Sequence, residues 1–421
     1  MQADLLIDDA AQLLTLSSPH GPKRGAAMGD LGIIPDGAVA IKDGRVLAVG
    51  LSQELRGQVH AARTLSAAGR VVMPGFVDPH THLVWAGERA AEFEMRVAGA
   101  SYMEIMTAGG GIMNTVRQTR AASVGDLVRQ TSPRLGRMLA HGTTTVEIKT
   151  GYGLTTHDEL KQLEAIRRLQ AQSAATLVPT FLGAHAIPAE YKDRPDAYVD
   201  LVVDEMLPAV AREWEATRSA EAVSLFCDVF CEEGAFSLAQ SRRVLEAARA
   251  HGFELKIHVD EFQALGGTRL AVELGAASAD HLVTTPPDQV RLLACSDTIA
   301  VALPGTPFGL GHQHYTPARA LIDAGGAVAL ATDCNPGTCW CESMQLMIAL
   351  ACRYMAMTPA EAISAATINA AHAVGLGETV GSLEVGKRAD LILLEKPSYQ
   401  HLGYRFGTNQ VETVLVEGQI V

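Results

Sequence analysis

Aromatic side chains are scarce in this chain, at 5% of 421 residues, while alanine, valine, leucine and glycine are abundant. Small aliphatic side chains suit helices packed closely on a sheet. Basic character is also lacking: the formal net charge is −13 and no lysine/arginine block interrupts it. An acidic surface repels phosphate backbones, so nucleic acid is not an expected partner. The first residues, Met1 to Asp9, carry no positive segment followed by an apolar one, so no secretory signal is expected. Apolar runs elsewhere are too short to span a membrane, and none is expected as a partner. The seven cysteines are odd in number and form no Cys-x-x-Cys pair, which fits a reducing compartment, the cytoplasm, better than a disulfide framework. Cys227 with Cys231, and Cys334 with Cys339 and Cys341, read as packing residues.

What is present reads as one large domain and one small one. Residues 1–70 contain short apolar runs at 3–7, 37–41 and 45–49, the last two separated by Asp43-Gly44, a strong hairpin signal. Residues 376–421 have the same texture, with apolar runs at 389–394 and 411–416. The two ends are expected to build one small β-sandwich. Between them, residues 71–375 alternate short apolar strands with helical stretches, the pattern of parallel β/α units. Eight strands can be counted: one ending at His80, then 142–148, 176–182, 226–230, 254–258, 277–281, 298–303 and 327–333, followed by a helix-rich tail at 343–374. The expected fold is α/β, a (β/α)8 TIM-like barrel with a terminal β-sandwich, and in such barrels sites form at the C-terminal strand ends.

The stretch Met73-Pro74-Gly75-Phe76-Val77-Asp78-Pro79-His80-Thr81-His82 organises that barrel. Strand side chains alternate faces, so His80 and His82 point the same way and can share one divalent ion. His185, His258, His281 and Asp333 also fall at or just past strand ends, and Tyr152 follows the second strand. With His258 and Asp333 added, three imidazoles and a carboxylate suit zinc or iron with water in the remaining position. A metal makes hydroxide available near neutrality, so a hydrolase is the natural consequence. Asp333 also fits the cap of a helix begun by Asn335-Pro336-Gly337. Glu261 and His281 are candidates for proton transfer. Arg89, in the loop after the first strand, would hold a substrate carboxylate if buried. The run Ala108-Gly109-Gly110-Gly111-Ile112 follows no strand and lacks the Lys-Ser/Thr ending of a phosphate loop, so close backbone approach to a small planar ligand is the better reading. The remaining histidines, at 20, 60, 141, 157, 251, 312, 314, 372 and 401, read as surface or structural.

Taken together, Pro-Gly-Phe-Val-Asp-Pro-His-Thr-His at 74–82, His258, Asp280-His281 and Thr332-Asp333 resemble the marks of the amidohydrolase superfamily. A narrower resemblance, to one branch of it, runs nearly end to end. It rests on Gly87-Glu88-Arg89-Ala90-Ala91-Glu92-Phe93-Glu94, Ala98-Gly99-Ala100-Ser101-Tyr102, residues 149–154, residues 181–188 and Thr332-Asp333-Cys334-Asn335-Pro336-Gly337-Thr338, with Cys334 departing from the motif. That resemblance implies a step of histidine breakdown: ring-opening hydrolysis of 4-imidazolone-5-propanoate to N-formimidoyl-L-glutamate. It implies metal ligation by His80, His82, His258 and Asp333, with one Zn2+ or Fe3+ per subunit, since no lysine on the fourth strand is available to bridge two metals. Arg89 would take the propanoate; Tyr152, His185, Asn335, Gly337 and Thr338 would line the pocket. Glu261 would bind the ring and shuttle a proton, and His281 would act on the water together with Asp333. A homodimer is expected, with 344–350 either a docking face or internal packing. Two alternatives share much of this pattern: a nucleobase deaminase of the same superfamily, in which Arg89 would be dispensable, and a non-catalytic scaffold, which usually loses metal ligands.

Overall fold

The structure, a computed structural model, describes residues 1–100, 104, 109–218 and 223–421; Ser101, Tyr102 and Ala108 of the motifs above lie outside the described residues. The chain opens with β1 (Gln2–Leu14), which pairs antiparallel with β2 (Ile33–Lys42), itself paired with β3 (Arg45–Leu51). The hairpin between β2 and β3 turns on Asp43 and Gly44 at φ 49° and 71°, the positive angles whose twist matches that of the flanking strands. β4 (His60–Ser66) and β5 (Val71–Pro74) lie parallel to β1.

One residue beyond β5 the barrel begins. Its strands are β6 (Phe76–Asp78), β7 (Thr143–Lys149), β8 (Thr176–Ala184), β9 (Phe226–Cys231), β10 (Glu254–Val259), β11 (Ser278–His281), β12 (Ile299–Ala302) and β13 (Val328–Leu330). All pair parallel in sequence order. The ring closes just past its strand ends, where Asp333 N–H donates to His80 carbonyl at 3.1 Å and His82 N–H to Cys334 carbonyl at 3.0 Å. That closure brings the ends of the first and eighth strands together, and with them His80, His82 and Asp333.

The strands are buried on both faces, but they are less apolar than the sequence pattern suggests. In β7, Val146 and Ile148 join the large apolar core, whereas Thr145, Glu147 and Lys149, of the opposite parity, are buried polar residues. Asp228, Lys256, Ser278 and Asp280 on β9 to β11 are buried in the same way. Charged groups at this depth need partners, and beneath the histidines Lys149 pairs with Glu147 and Asp228 while Lys256 donates to Ser278.

Helices Met344–Tyr354, Pro359–Ala365 and Ile368–Ala373 follow the barrel strands, the first capped by Ser343. Asn335 to Gly337 start no helix, so the capping role considered for Asp333 does not apply. Met344, Met347, Ile348 and Leu350 are buried within the chain, which identifies that apolar stretch as internal packing rather than a docking face. The chain then returns to the first sheet: β14 (Leu391–Leu394) pairs with β5, β15 (Val411–Val416) with β14, and β16 (Gln419–Ile420) with β15. Leu5, Ile7, Leu13, Val39 and Ile41 from one end pack with Leu391, Leu393 and Leu415 from the other. Both termini thus form one sheet with a core of its own on one face, while Leu14, Val71, Met73, Ile392 and Leu394 of the same strands join the large core of the barrel.

Candidate active site

His80 and His82 lie just beyond β6, and alternation sends both side chains into the mouth of the barrel, where His258 of β10 meets them. The ring centroids of His80 and His258 are 4.4 Å apart, and Nε2 of His82 lies 3.4 Å from Nε2 of His258. One ligand atom from each of the three lies within 4.8 Å of the others, and the same holds for His80, His281 and Asp333. Asp333 Oδ1 is 3.4 Å from His82 Nε2 and 3.7 Å from His80 Nε2. Its other oxygen accepts a 2.5 Å hydrogen bond from Thr306 Oγ1, which aims the carboxylate.

The protonation pattern identifies what this cluster can hold. His80 Nδ1 sits 2.6 Å from Asp280 Oδ2, the arrangement in which Nδ1–H donates and leaves the Nε2 lone pair free. His80 Nε2 is buried and makes no hydrogen bond. Burial, with the neighbouring imidazoles and the Lys149 charge adding to it, holds His80 and His82 well below the usual imidazole range, so both favour the neutral form. His258 is oriented from behind, its Nδ1 lying 3.0 Å from Asp228 Oδ2 and its N–H donating to Asp228 Oδ1 at 3.1 Å. Imidazole nitrogens and a carboxylate that converge on one point are the donor set of a divalent metal ion, and a carboxylate stands behind two of the three histidines, Asp280 at His80 Nδ1 and Asp228 at His258 Nδ1.

His281, at φ 78°, and Asp333, at φ 53°, adopt left-handed backbone at this mouth. For residues with a Cβ such angles cost on the order of 1–2 kcal/mol each, so they persist where the surroundings impose them. Here the barrel does so, through Asp333 N–H to His80 carbonyl and a 2.5 Å bond from Thr316 Oγ1 to His281 carbonyl. Burial, opposed by the Asp333 charge, lowers the His281 pKa to about 3, and His281 Nε2 lies 3.7 Å from Glu261 Oε2. Burial raises the Glu261 carboxyl well above its usual range, with Asp333 and Glu232 adding to the effect. A neutral imidazole therefore faces a carboxyl that favours its protonated form.

His185, just past β8, stacks on His82 with centroids 4.8 Å apart and planes at 19°, and its Nδ1 donates to Gly151 carbonyl at 2.9 Å. Tyr152 is buried beside both rings, 5.9 Å from His82 and 5.3 Å from His185. Burial and the Asp333 charge push its hydroxyl up, and the Arg89 charge opposes them. Asn335 is engaged within its own loop: its Oδ1 accepts from the N–H groups of Gly337 and Thr338, both at 2.8 Å, and its Nδ2 donates to Asp333 carbonyl at 2.7 Å. Gly337 lies against Arg89, where an added Cβ would come 2.3 Å from Nη1.

Arg89 is half-buried rather than fully buried. Its Nε donates to Glu92 Oε2 at 2.8 Å, and Glu92 also accepts from Gly111 N–H at 3.0 Å and from Asn114 Nδ2 at 3.1 Å. The glycine stretch is thus tied to the arginine through Glu92, a residue to which the sequence alone assigned no role. Glu147, Lys149, Asp228 and Asp280 also had none. Their signal was charged residues of one parity on β7, β9 and β11, but only the folded chain shows which of them meet. Cys334 is buried and its thiol is pushed up by burial, which makes it an unreactive packing residue. A cleft of about 1240 Å3 opens elsewhere, among residues that include Asp4, Arg167, Trp214 and Arg388, and none of its lining residues is a histidine.

Residues 71–421 match the model of the amidohydrolase family. An imidazolonepropionase of Herpetosiphon aurantiacus is 57% identical over 419 residues, covering 100% of this chain and 97% of the relative. One of Symbiobacterium thermophilum is 50% identical over 421 residues, covering 99% and 97%. Among solved structures, Escherichia coli guanine deaminase aligns with a TM-score of 0.74 at 16% identity, covering 99% of this chain and 98% of that one. An adenosine deaminase of Xanthomonas campestris with bound zinc aligns at 0.71 and 22% identity, covering 100% and 93%. At these identities the structural likeness establishes the barrel fold alone.

Proposed function

The chain belongs to the amidohydrolase family, in its imidazolonepropionase branch, and from that premise we propose that it opens the ring of 4-imidazolone-5-propanoate in histidine degradation. It is a hydrolase acting on a C–N bond of a cyclic amide. Water adds its oxygen to the lactam carbonyl carbon, the ring C–N bond breaks, a proton reaches the released nitrogen, and N-formimidoyl-L-glutamate leaves.

His80, His82, His258 and Asp333 would hold one Zn2+ or Fe3+ per subunit, a donor set that accommodates either. When bound, such an ion acidifies water and polarises a carbonyl. The chain's own residues supply the rest. Neutral His281 and Asp333 orient the water and accept its proton. Glu261, with its raised carboxyl pKa, donates a hydrogen bond to the ring and a proton to the departing nitrogen. Arg89 binds the propanoate, and Tyr152, His185, Asn335, Gly337 and Thr338 line the pocket between it and the imidazoles.

The observation that supports this substrate most directly is Arg89 itself, one side of its guanidinium held by Glu92 and Nη1 against Gly337 of the loop that follows Asp333. An anionic substrate needs such a counter-charge, and a neutral nucleobase does not. The test is turnover of freshly generated 4-imidazolone-5-propanoate, followed by loss of its ultraviolet absorbance, with metal content measured on the same sample. Turnover with about one metal per chain supports the assignment; no turnover by metal-loaded protein overturns the substrate and leaves the hydrolase. We also propose a cytoplasmic homodimer, consistent with seven free cysteines; light scattering reads the oligomeric state.

A further inference from the structure

Beneath the imidazoles lies a cation that the reaction above does not use. Lys149, the last residue of β7, is completely buried, with Nζ 2.7 Å from Glu147 Oε1 and 2.9 Å from Asp228 Oδ2, both carboxylates equally buried. Each carboxylate has a second task. Glu147 Oε2 accepts the N–H of Thr81 at 3.0 Å, the residue between His80 and His82. Asp228 accepts the His258 N–H through Oδ1 and faces His258 Nδ1 through Oδ2. Lys149 is tied to the same segment through its backbone, its N–H donating to Thr81 carbonyl at 2.9 Å.

One ammonium therefore joins the two strand ends that carry the three imidazoles. Two buried carboxylates that share a cation repel each other when it is removed, because charges at this depth are poorly screened. The partner of a ligating histidine must keep its place for the imidazole to keep its orientation, and loss of such a partner typically lowers metal affinity about 10- to 100-fold. We infer that Lys149 is a positioning residue for the metal centre: through Asp228 it sets the orientation of His258, and through Glu147 that of the His80-Thr81-His82 segment. The inference rests on the metal reading above but not on the identity of the substrate.

The test uses metal-stripped full-length protein and Zn2+ alone, with affinity measured by competition against a chromophoric chelator and coordination followed by the visible spectrum of the Co2+-loaded protein. Lys149→Met leaves two buried carboxylates unpaired and can fail to fold, so Lys149→Met/Glu147→Gln, which removes one anion with the cation, is measured beside it. Circular dichroism melts establish which variants are folded. The expected result is Zn2+ affinity about 10- to 100-fold below wild type in the folded variants, an altered Co2+ spectrum, and partial recovery in Lys149→Arg. A folded variant that binds Zn2+ within about threefold of wild type, with an unchanged Co2+ spectrum, overturns the inference, since removal of a histidine's partner does not leave a site that intact. Failure of the wild-type protein to bind Zn2+ overturns the metal reading together with this one, and is seen before any variant is compared.

Discussion

Asp280 Oδ2 lies 2.6 Å from His80 Nδ1, and neither side chain is exposed. The contact selects the tautomer in which Nε2 of His80 faces the other ligands. Burial raises the Asp280 carboxyl, and the Lys256 and Lys149 charges hold that rise back. Asp280→Ala frees the imidazole to rotate or to protonate at Nε2. Metal affinity is then expected to fall about 10- to 100-fold, measured by chelator competition on the folded variant. Unchanged affinity would show that His80 is held by packing alone.

Arg89 is expected to act on binding rather than on the chemical step. A charge-assisted pair contributes about 1.5–3 kcal/mol, or roughly 10- to 150-fold in an equilibrium constant. Arg89→Ala should raise KM for the anionic substrate by that order with kcat little changed, because the propanoate is held alike in ground and transition states. Arg89→Lys should recover only part of the loss, since an ammonium cannot make the paired contact of a guanidinium. Steady-state kinetics separates the two constants; a fall in kcat with constant KM would move Arg89 out of the carboxylate site.

Gly337 offers a gentler test of the same contact. A Cβ there meets Arg89 Nη1 at 2.3 Å, the far end of a flexible side chain, so the arginine can yield without disturbing the fold. Gly337→Ala is therefore expected to change stability by less than about 0.5 kcal/mol while displacing the guanidinium and raising KM roughly tenfold. Thermal melts and kinetics on one preparation distinguish this from a structural defect, in which stability would fall first.

Much of this arrangement could be read in advance because it follows from short-range rules. The parity of His80 and His82, the Asp43-Gly44 turn and the eight strand positions need only a period of two and turn chemistry, and the structure has each of them. The polar layer was not legible, since Lys149 meets Asp228 across 79 positions of chain (228 − 149) and nothing in either neighbourhood names the other. Arg89 and Glu92 are only three residues apart, yet their pairing depends on Gly111 and Asn114 also converging on Glu92. Strand-end position and resemblance single out the candidate ligands; the ion pairs beneath them emerge from packing.

The terminal sheet has its own testable contact. Glu384 accepts from Ser17 Oγ at 3.0 Å and from Ser382 Oγ at 2.6 Å, and pairs with Lys387 at 3.0 Å, so it links the two ends of the chain. Burial alone would raise its carboxyl; the bonds from Ser382 and Lys387 outweigh that and lower it to about 2. A carboxyl whose folded pKa lies below its unfolded value stabilises the fold above the unfolded pKa, near 4.5, and the contribution is lost as pH falls toward 2. The side chain is partly exposed, so solvent screening limits the effect to about 1 kcal/mol or less. Glu384→Gln should therefore be less stable than wild type by up to that amount at pH 6, with the gap closing as the pH is lowered through 4 toward 2. Urea melts of both proteins across that range read it directly, and a gap that widens toward low pH would mean that the carboxylate is not the form the two chain ends hold.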